Sequence, residues 1–152
     1  RLALVVNPEN PAGTLSQEEA GAIFAGTYLQ WKEVPSLAAL PQGFDQPIKP
    51  IFLVDPELNA FFSATFPGLE LTPTTDKQAY SIEMAQQLIA KTPGAIGLLP
   101  ACALTPALEE VQIIGTDGKA ITWQLHVLGL NPTEPAGDMW QLLLCLQNPS
   151  QQ

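Results

Sequence analysis

Short apolar runs alternate with well-capped helical segments along this chain, and this alternation constrains its fold more than any other feature. The run Leu2–Val6 is continuously apolar, as expected of a strand that is buried on both faces. Ser16, with Glu19 three residues later, forms a capping box and predicts a helix that ends near Gly26. Strands that alternate with helices predict an α/β fold with a mostly parallel sheet.

The same order continues along the chain. A second strand is predicted over residues 48–54, where Pro50 indicates an edge or an irregular start. Asp55 as N-cap and Pro56 at the first helical position begin a second helix. A third helix over residues 77–91 is expected to be capped by Thr75 or Asp76.

The later elements are less regular. Strands are predicted over residues 95–99, 111–114 and 120–128, with a hairpin through residues 116–119, and an apolar helix over residues 138–147. Trp31 and the phenylalanines at 61, 62 and 66 are expected to lie in the core. Together these elements predict one three-layer domain over residues 1–152, with a mixed, mostly parallel sheet of about five strands flanked by helices.

Composition excludes several functional classes. Of 152 residues, 46% are apolar and 14% are charged, which is typical of a globular domain. No apolar run approaches the roughly 20 residues that span a bilayer. The formal net charge is −9 and Arg1 is the only arginine, so the chain lacks the basic stripe that nucleic acid binding requires. The same acidity disfavours binding to anionic lipid.

Residues for catalysis are scarce. His126 is the only histidine, and in the alternating pattern around it we expect a strand position that is solvated or at the edge of the core, rather than a general base. Glu109 and Glu110 are adjacent, so we expect a solvated acidic turn rather than a pair of cooperating carboxylates. No phosphate loop and no dinucleotide-binding glycine pattern is present. These features predict a protein that is not an enzyme and has no cofactor.

The two cysteines, Cys102 and Cys145, leave two alternatives open. They cannot form a zinc site by themselves. Two buried free thiols are favoured by how often free cysteine is buried, while a disulfide would fit an exported chain. The chain starts at Arg1 rather than methionine, so we expect a processed or excised piece of a longer product.

Helix N-termini that follow strand ends are natural ligand sites in open α/β sheets, because their backbone N–H groups point outward. Three such turns are predicted, at residues 14–17, 55–59 and 74–77, and each is equally well explained as an ordinary helix cap. The candidate ligand contacts are Asn7, Thr14, Asp55, Glu57, Asn59 and Thr75. No metal site is predicted.

Several motifs resemble a known family. They are Leu4-Val5-Val6-Asn7-Pro8, Leu15-Ser16-Gln17-Glu18-Glu19, Ile23-Phe24-Ala25-Gly26, Trp31 and Pro93-Gly94-Ala95-Ile96-Gly97. In this order they resemble type 2 periplasmic solute-binding proteins, of the kind that serves phosphate ABC transporters. The resemblance covers roughly residues 2–100, whereas residues 101–152 match poorly.

The resemblance implies a Venus-flytrap protein in which two α/β lobes hold a ligand in the cleft between them. This chain is long enough for one lobe and resembles the second, so a second lobe or upstream domain is expected elsewhere. The family also implies a small-molecule ligand, a membrane permease as partner and a periplasmic or cell-surface location, with a lipid anchor in some members.

One motif departs from the family. An arginine is expected at the end of the second strand, and a serine, a glycine and a threonine in the helix that follows. Here Val54 takes the place of the arginine, and residues 57–59 take the places of the other three. Asp55 and Glu57 would repel a phosphate, since like charges within about 4 Å cost several kcal/mol where water is partly excluded.

Two functions follow as hypotheses. The first is a non-catalytic ligand-binding lobe whose ligand is not phosphate, with Asp55, Glu57 and Asn59 favouring a cationic or polyhydroxyl ligand. The second is a structural or interaction domain that keeps the lobe fold without a ligand cleft. The apolar helix predicted over residues 138–147 must be buried against something. Burial in the core of the same domain is favoured, and burial against a partner lobe or a second copy would fit the second hypothesis.

Overall fold

The computed structural model describes residues 1–38, 44–66 and 78–123, apart from the side chains of Glu57 and Asn59. The strands are β1 (Leu2–Val6), β2 (Thr14–Ser16), β3 (Lys49–Leu53), β4 (Gln78–Ala79), β5 (Ala95–Pro100), β6 (Glu109–Ile114) and β7 (Ala120–Ile121). The helices are α1 (Gln17–Phe24), α2 (Pro56–Thr65) and α3 (Ile82–Lys91), and short 3-10 turns lie at Trp31–Glu33 and Ala101–Ala103.

These seven strands form one mixed sheet in the order β2-β6-β1-β5-β3-β4, with β7 beside β6. The pairs β2–β6, β3–β5 and β3–β4 are parallel, whereas β1 is antiparallel to both β5 and β6. β7 is antiparallel to β6. Five strands therefore run in one direction and only β1 and β7 oppose them, which confirms the prediction of a mixed, mostly parallel sheet.

Alternate residues of the central strands pack on opposite faces of the sheet, as strand geometry requires. In β1, Leu2, Leu4 and Val6 contact the core on the side of α1 and α2, while Ala3 and Val5 contact the core on the side of α3. Helices thus cover both faces, and the predicted three-layer arrangement is confirmed. The continuous apolar run of β1 reflects this burial on two sides.

An aromatic cluster joins α1 and α2 to the sheet. Phe24 of α1 lies with its ring centroid 4.9 Å from that of Phe62 in α2 and 5.8 Å from that of Phe52 in β3. Phe66, at the end of α2, lies 5.9 Å from Trp123. The prediction that the phenylalanines near residues 61–66 are core residues is confirmed, with Phe61 only partly buried at the edge of the cluster.

The start of the third helix was predicted wrongly. The helix begins at Ile82 rather than near residue 77, and its cap is Ser81, whose hydroxyl accepts a hydrogen bond from the Met84 N–H at 3.1 Å. Gln78 and Ala79 instead form β4 and pair with β3. Pairing with a neighbouring strand here outweighed the helical spacing of Ala79, which local sequence could not show.

Pro50 lies on an interior strand rather than an edge. It pairs with Ile96 of β5 on one side, while β4 pairs with Phe52 and Leu53, beyond the proline. Pro50 has no backbone N–H, and the described part of β4 does not extend alongside it. This placement is compatible with the irregular start that the sequence predicts.

The hairpin between β6 and β7 is confirmed, and Gly118 adopts a positive φ of 75° in its turn. Glu109 and Glu110, however, open strand β6 instead of forming an acidic turn. The Glu110 carboxylate forms a two-point ion pair with the Arg1 guanidinium, which raises the pKa of Arg1 through that hydrogen-bonded contact. Strand pairing with β1 brings these distant residues together.

Cys102 is disulfide-bonded, so the preference for free thiols is wrong at this residue. Cys145 is the only other cysteine of the sequence and lies outside the described residues, as do His126, Thr75, Asp76 and the helix predicted over residues 138–147. Across residues 1–38, 44–66 and 78–123, no helix combines the length and apolarity needed to cross a bilayer.

Candidate functional site

The carboxyl ends of β3 and β4 lie side by side, and a helix starts directly after each strand. Leu53 pairs with Ala79 in parallel register, and the Val54 N–H donates to the Ala79 carbonyl at 2.8 Å. Asp55 then begins α2 and Ser81 begins α3. We call this region, comprising Val54, Asp55, Tyr80 and Ser81, the open end.

The N-terminus of α2 has few backbone donors to offer a ligand. The Asp55 carboxylate accepts a hydrogen bond from the Leu58 N–H at 3.0 Å, and the Asp55 N–H donates to the Leu53 carbonyl at 2.9 Å. Pro56 has no N–H. Leu58, where the family places a glycine, is buried in the core. This helix start therefore places a carboxylate at its cap, uses the Leu58 N–H for that cap and has no donor at Pro56, and these features disfavour an anion.

Large apolar side chains are exposed at the open end. Val54 is 46% exposed and Tyr80 is 64% exposed, although most side chains of this size in the sheet are buried. The Tyr80 hydroxyl donates to the Gln78 side-chain oxygen at 3.0 Å. Sequence reasoning missed Tyr80 and Ser81 because it assigned this segment to the interior of a helix.

Asn7 lies at the other end of the strands. Its N–H faces the carbonyl of Ala95, the first residue of β5, and its side chain is 4% exposed. The Asn7 amide donates to the carbonyls of Ile89 (3.1 Å) and Ala90 (2.8 Å) and accepts from the Glu9 N–H (2.9 Å). It thus satisfies carbonyls in the last turn of α3. That Asn7 contacts a ligand stays a prediction, and its bonds give it a structural role.

The other predicted contacts are not gathered in one place. Thr14 is exposed on β2 and pairs with Gln112, whereas three strands, β6, β1 and β5, separate β2 from β3 and Asp55. The side chains of Glu57 and Asn59 and the whole of Thr75 lie outside the described residues. Asp55, Glu57 and Asn59 share the N-terminal turn of α2, and Asp55 is the one of the three whose side chain is described.

Three of the motifs that carry the family resemblance, those of Asn7, Trp31 and Gly94, meet at the amino ends of β3 and β5. Trp31 is completely buried, and its indole N–H donates to the Gly94 carbonyl at 2.9 Å. Gly94 has a φ of +78°, and a side chain there would overlap the Pro47 carbonyl oxygen. We call this region, comprising Asn7, Trp31 and Gly94, the closed end, because its polar groups are engaged within the fold.

Glu19 of α1 is a nearly buried carboxylate with a structural function. It accepts hydrogen bonds from the N–H groups of Ser16 and Ser36, each at 2.8 Å. Burial alone would raise the pKa of Glu19, but these hydrogen bonds outweigh it and hold the pKa below the ordinary value. The capping box predicted from sequence is confirmed, and it also ties α1 to the turn after Val34.

A cavity of about 300 Å³ lies where β1 and β6 diverge. It is lined by the paired side chains Arg1 and Glu110, by Gln112 and Thr122, and by apolar residues that include Trp123. The two charges in it already neutralise each other. Among the residues with described positions, no group of three or more acidic, histidine or cysteine side chains could hold a metal ion.

The fold is similar to that of three solved proteins. A possible phosphate binding protein from Planctomyces limnophilus DSM 3776 is 21% identical with a TM-score of 0.60, over 75% of this chain and 41% of that one. A putative phosphate ABC transporter substrate-binding protein from Clostridium perfringens, with bound phosphate, is 22% identical with a TM-score of 0.59, over 77% and 45%. An ABC-type phosphate transport receptor from Vibrio cholerae is 20% identical with a TM-score of 0.55, over 74% and 45%.

These similarities concern the fold. The resemblance predicted from the motifs is confirmed at that level, and the chain spans less than half the length of these proteins, as one lobe would. No protein-family model matches the chain, and no curated protein matches its sequence.

Proposed function

We propose that the chain is a non-catalytic, ligand-binding lobe of an exported solute-binding protein that delivers its ligand to an ABC-transporter permease in the membrane. The support is the fold shared with the three solved proteins described above, of whose length the chain spans 41–45%. A second lobe, in the same or another chain, completes the cleft. The open end is the part of this lobe that faces the ligand, because two helices start there beside exposed side chains.

The ligand we propose is not phosphate. The observation that carries this proposal is the start of α2, where the Asp55 carboxylate occupies the helix N-terminus and accepts from the Leu58 N–H. A phosphate at this place would meet a like charge and would find Pro56 without a donor. Glu57, by its position in the sequence, adds a further acidic residue to the same turn.

Export of the protein is part of the proposal. The disulfide at Cys102 supports it, because disulfides persist in oxidising compartments such as the periplasm or the cell surface. A lipid anchor on the full-length protein would hold the lobe near its permease.

A ligand panel tests this function. The full-length protein is heated with inorganic phosphate, a set of sugars and a set of organic cations, and its unfolding temperature is measured. A ligand at about a hundred times its Kd stabilises the folded state by about 2.7 kcal/mol, which such a measurement detects. We expect stabilisation by a cation or a sugar and none by phosphate.

The matched variant is Asp55→Asn, since asparagine caps a helix as well as aspartate does but carries no charge. It should lose the stabilisation by the ligand while keeping the unfolding temperature of the free protein. Stabilisation of the unchanged protein by phosphate would contradict the proposed ligand, and no response to any compound would favour a structural domain without a cleft.

A further inference from the structure

We infer that the apolar segment of residues 138–147 docks on the face of the sheet beside α3, where a disulfide between Cys102 and Cys145 fixes it. A groove in that face, the position of Cys102 and the apolarity of the segment each support this docking. The docking concerns how the lobe is completed and is independent of the ligand proposed above.

Helix α3 covers only part of its face of the sheet. It packs against β1, β3, β4 and β5. On β6 and β7, the side chains that alternate with the core residues and so point to the α3 side include Gln112, Ala120 and Thr122, and all three are exposed. Within residues 1–38, 44–66 and 78–123, the β6 side of this face is therefore left open.

The cavity of about 300 Å³ between β1 and β6 opens on this same face, and we call it the β1–β6 groove. Its rim includes the exposed Gln112 and Thr122, and apolar residues of β1 and β6 line it further in. Arg1 and Glu110, also at the rim, form an ion pair with each other. Apolar side chains can therefore enter the groove without burying an unpaired charge.

Cys102 lies beside the β1–β6 groove. The N–H of its neighbour Ala101 donates to the carbonyl of Arg1, at the rim, at 2.9 Å. The 3-10 turn that contains Cys102 lies on the α3 side of the sheet, because the Gln86 side chain of α3 donates to the Ala103 carbonyl. A segment bonded to Cys102 is thus held next to the open part of this face.

The chain that follows Trp123 starts at this groove and is tied to it again by the disulfide. Trp123 lines the groove, and its carbonyl accepts a hydrogen bond from the Leu2 N–H at 2.9 Å. Cys102 is disulfide-bonded, and Cys145 is the only other cysteine of the sequence. A disulfide holds its two Cα atoms within about 7 Å of each other. Pairing of the two cysteines therefore places residues 138–147 at the rim.

The composition of the segment fits this place. Residues 139–146 are apolar apart from Gln141. A segment that is apolar nearly all round must be buried on more than one side. The groove supplies apolar walls and a neutralised rim, so docking there buries the segment and completes the layer beside α3.

The disulfide is tested by peptide mapping of the unreduced protein. We expect one linked pair of peptides that contain Cys102 and Cys145, and no free thiol after denaturation. Cys145→Ser should lower the Tm by about 10 °C, because a bridge that closes a loop of about 40 residues restrains the unfolded chain. Two free thiols, or a bridge between two copies seen as a dimer on a non-reducing gel, would overturn the pairing.

Photo-cross-linking tests the docking separately. Gln112→p-benzoylphenylalanine places a photoreactive ring at the rim of the groove, and the matched control is the same change at Gln87, an exposed glutamine of α3. We expect light to link position 112 to peptides from residues 138–147 of the same chain, and position 87 not to reach them. If position 112 links elsewhere or to nothing while the bridge is present, the docking is wrong.

Discussion

The closed end and the open end of the sheet each contain a large aromatic side chain, but the fold buries one and exposes the other. At the closed end, Trp31 is completely buried and the Asn7 amide makes three hydrogen bonds. At the open end, Tyr80 is 64% exposed although it is just as able to fill a core. Burial at one end stabilises the lobe, and exposure at the other leaves surface for recognition.

This difference explains why the family motifs carry information about fold but not about ligand. Trp31 and the Gly94 segment are motif residues, and both lie at the closed end. The segment in which the sequence departs from the family begins at Val54, at the open end. The variants below test this contrast between the two ends.

Trp31→Ala should give the largest effect. Removing a fully buried tryptophan costs about 3–5 kcal/mol of unfolding free energy, because a cavity remains and the Gly94 carbonyl loses its donor. Urea denaturation followed by circular dichroism measures the change. If the variant does not fold, Trp31→Phe should fold with a smaller loss, and a loss below about 1 kcal/mol for Trp31→Ala would contradict the closed end as a stabilising region.

Gly94→Ala should cost roughly 2–4 kcal/mol, since a left-handed φ is strained and the new methyl group overlaps the Pro47 carbonyl oxygen. Gly118→Ala is the matched control. Gly118 has nearly the same φ, +75° against +78°, but open space around it, so only the backbone strain of about 1–2 kcal/mol should remain. Equal losses in the two variants, measured by thermal and urea unfolding, would show that close packing at Gly94 contributes nothing.

Asn7→Ala should cost about 2 kcal/mol, because two carbonyls of α3 lose their donor in a buried place. Hydrogen exchange should show faster opening of the last turn of α3. Ligand affinity of the full-length protein should be unchanged. A loss of affinity with normal stability would instead assign Asn7 to the ligand site, as the sequence predicts.

Glu19→Gln tests a carboxylate that belongs to neither end. We expect a loss of about 1 kcal/mol at neutral pH, since one charged acceptor becomes neutral. The folded pKa of Glu19 lies below the unfolded value of about 4.5, so the carboxylate contributes stability above that pH and loses it as the pH falls through the folded pKa. On acidification, the variant should therefore lose less free energy of unfolding than the unchanged protein. If the free energy of unfolding fell in parallel with pH in both proteins, the stabilising role of the Glu19 carboxylate would be contradicted.

Tyr80→Leu should have the smallest effect on stability, within about 0.5 kcal/mol, because the side chain is mostly exposed. Measured beside Trp31→Ala under the same conditions, it gives the contrast between the two ends directly. A loss of unfolding free energy as large as that of Trp31→Ala would mean that Tyr80 is packed against other residues in solution and stabilises the lobe.

The elements predicted best are those whose determinants are local. Two helix caps, the capping box of Ser16 and Glu19 and the cap at Asp55, satisfy backbone donors within three residues. These caps could therefore be predicted without knowing the rest of the chain. The start of α3 and the role of Glu110 were mistaken for the opposite reason. Ala79 and Glu110 take their conformations from strands β3 and β1, which are distant in sequence.

The sequence alone determined the α/β class, the resemblance to one lobe of a solute-binding protein and the acidic start of α2, since each depends on local pattern or composition. Only the tertiary structure decided that Asn7 and Asp55 lie at opposite ends of the strands and that Val54 lies beside the end of β4. The register between β3, β4 and β5 sets those positions, and register depends on contacts between distant segments.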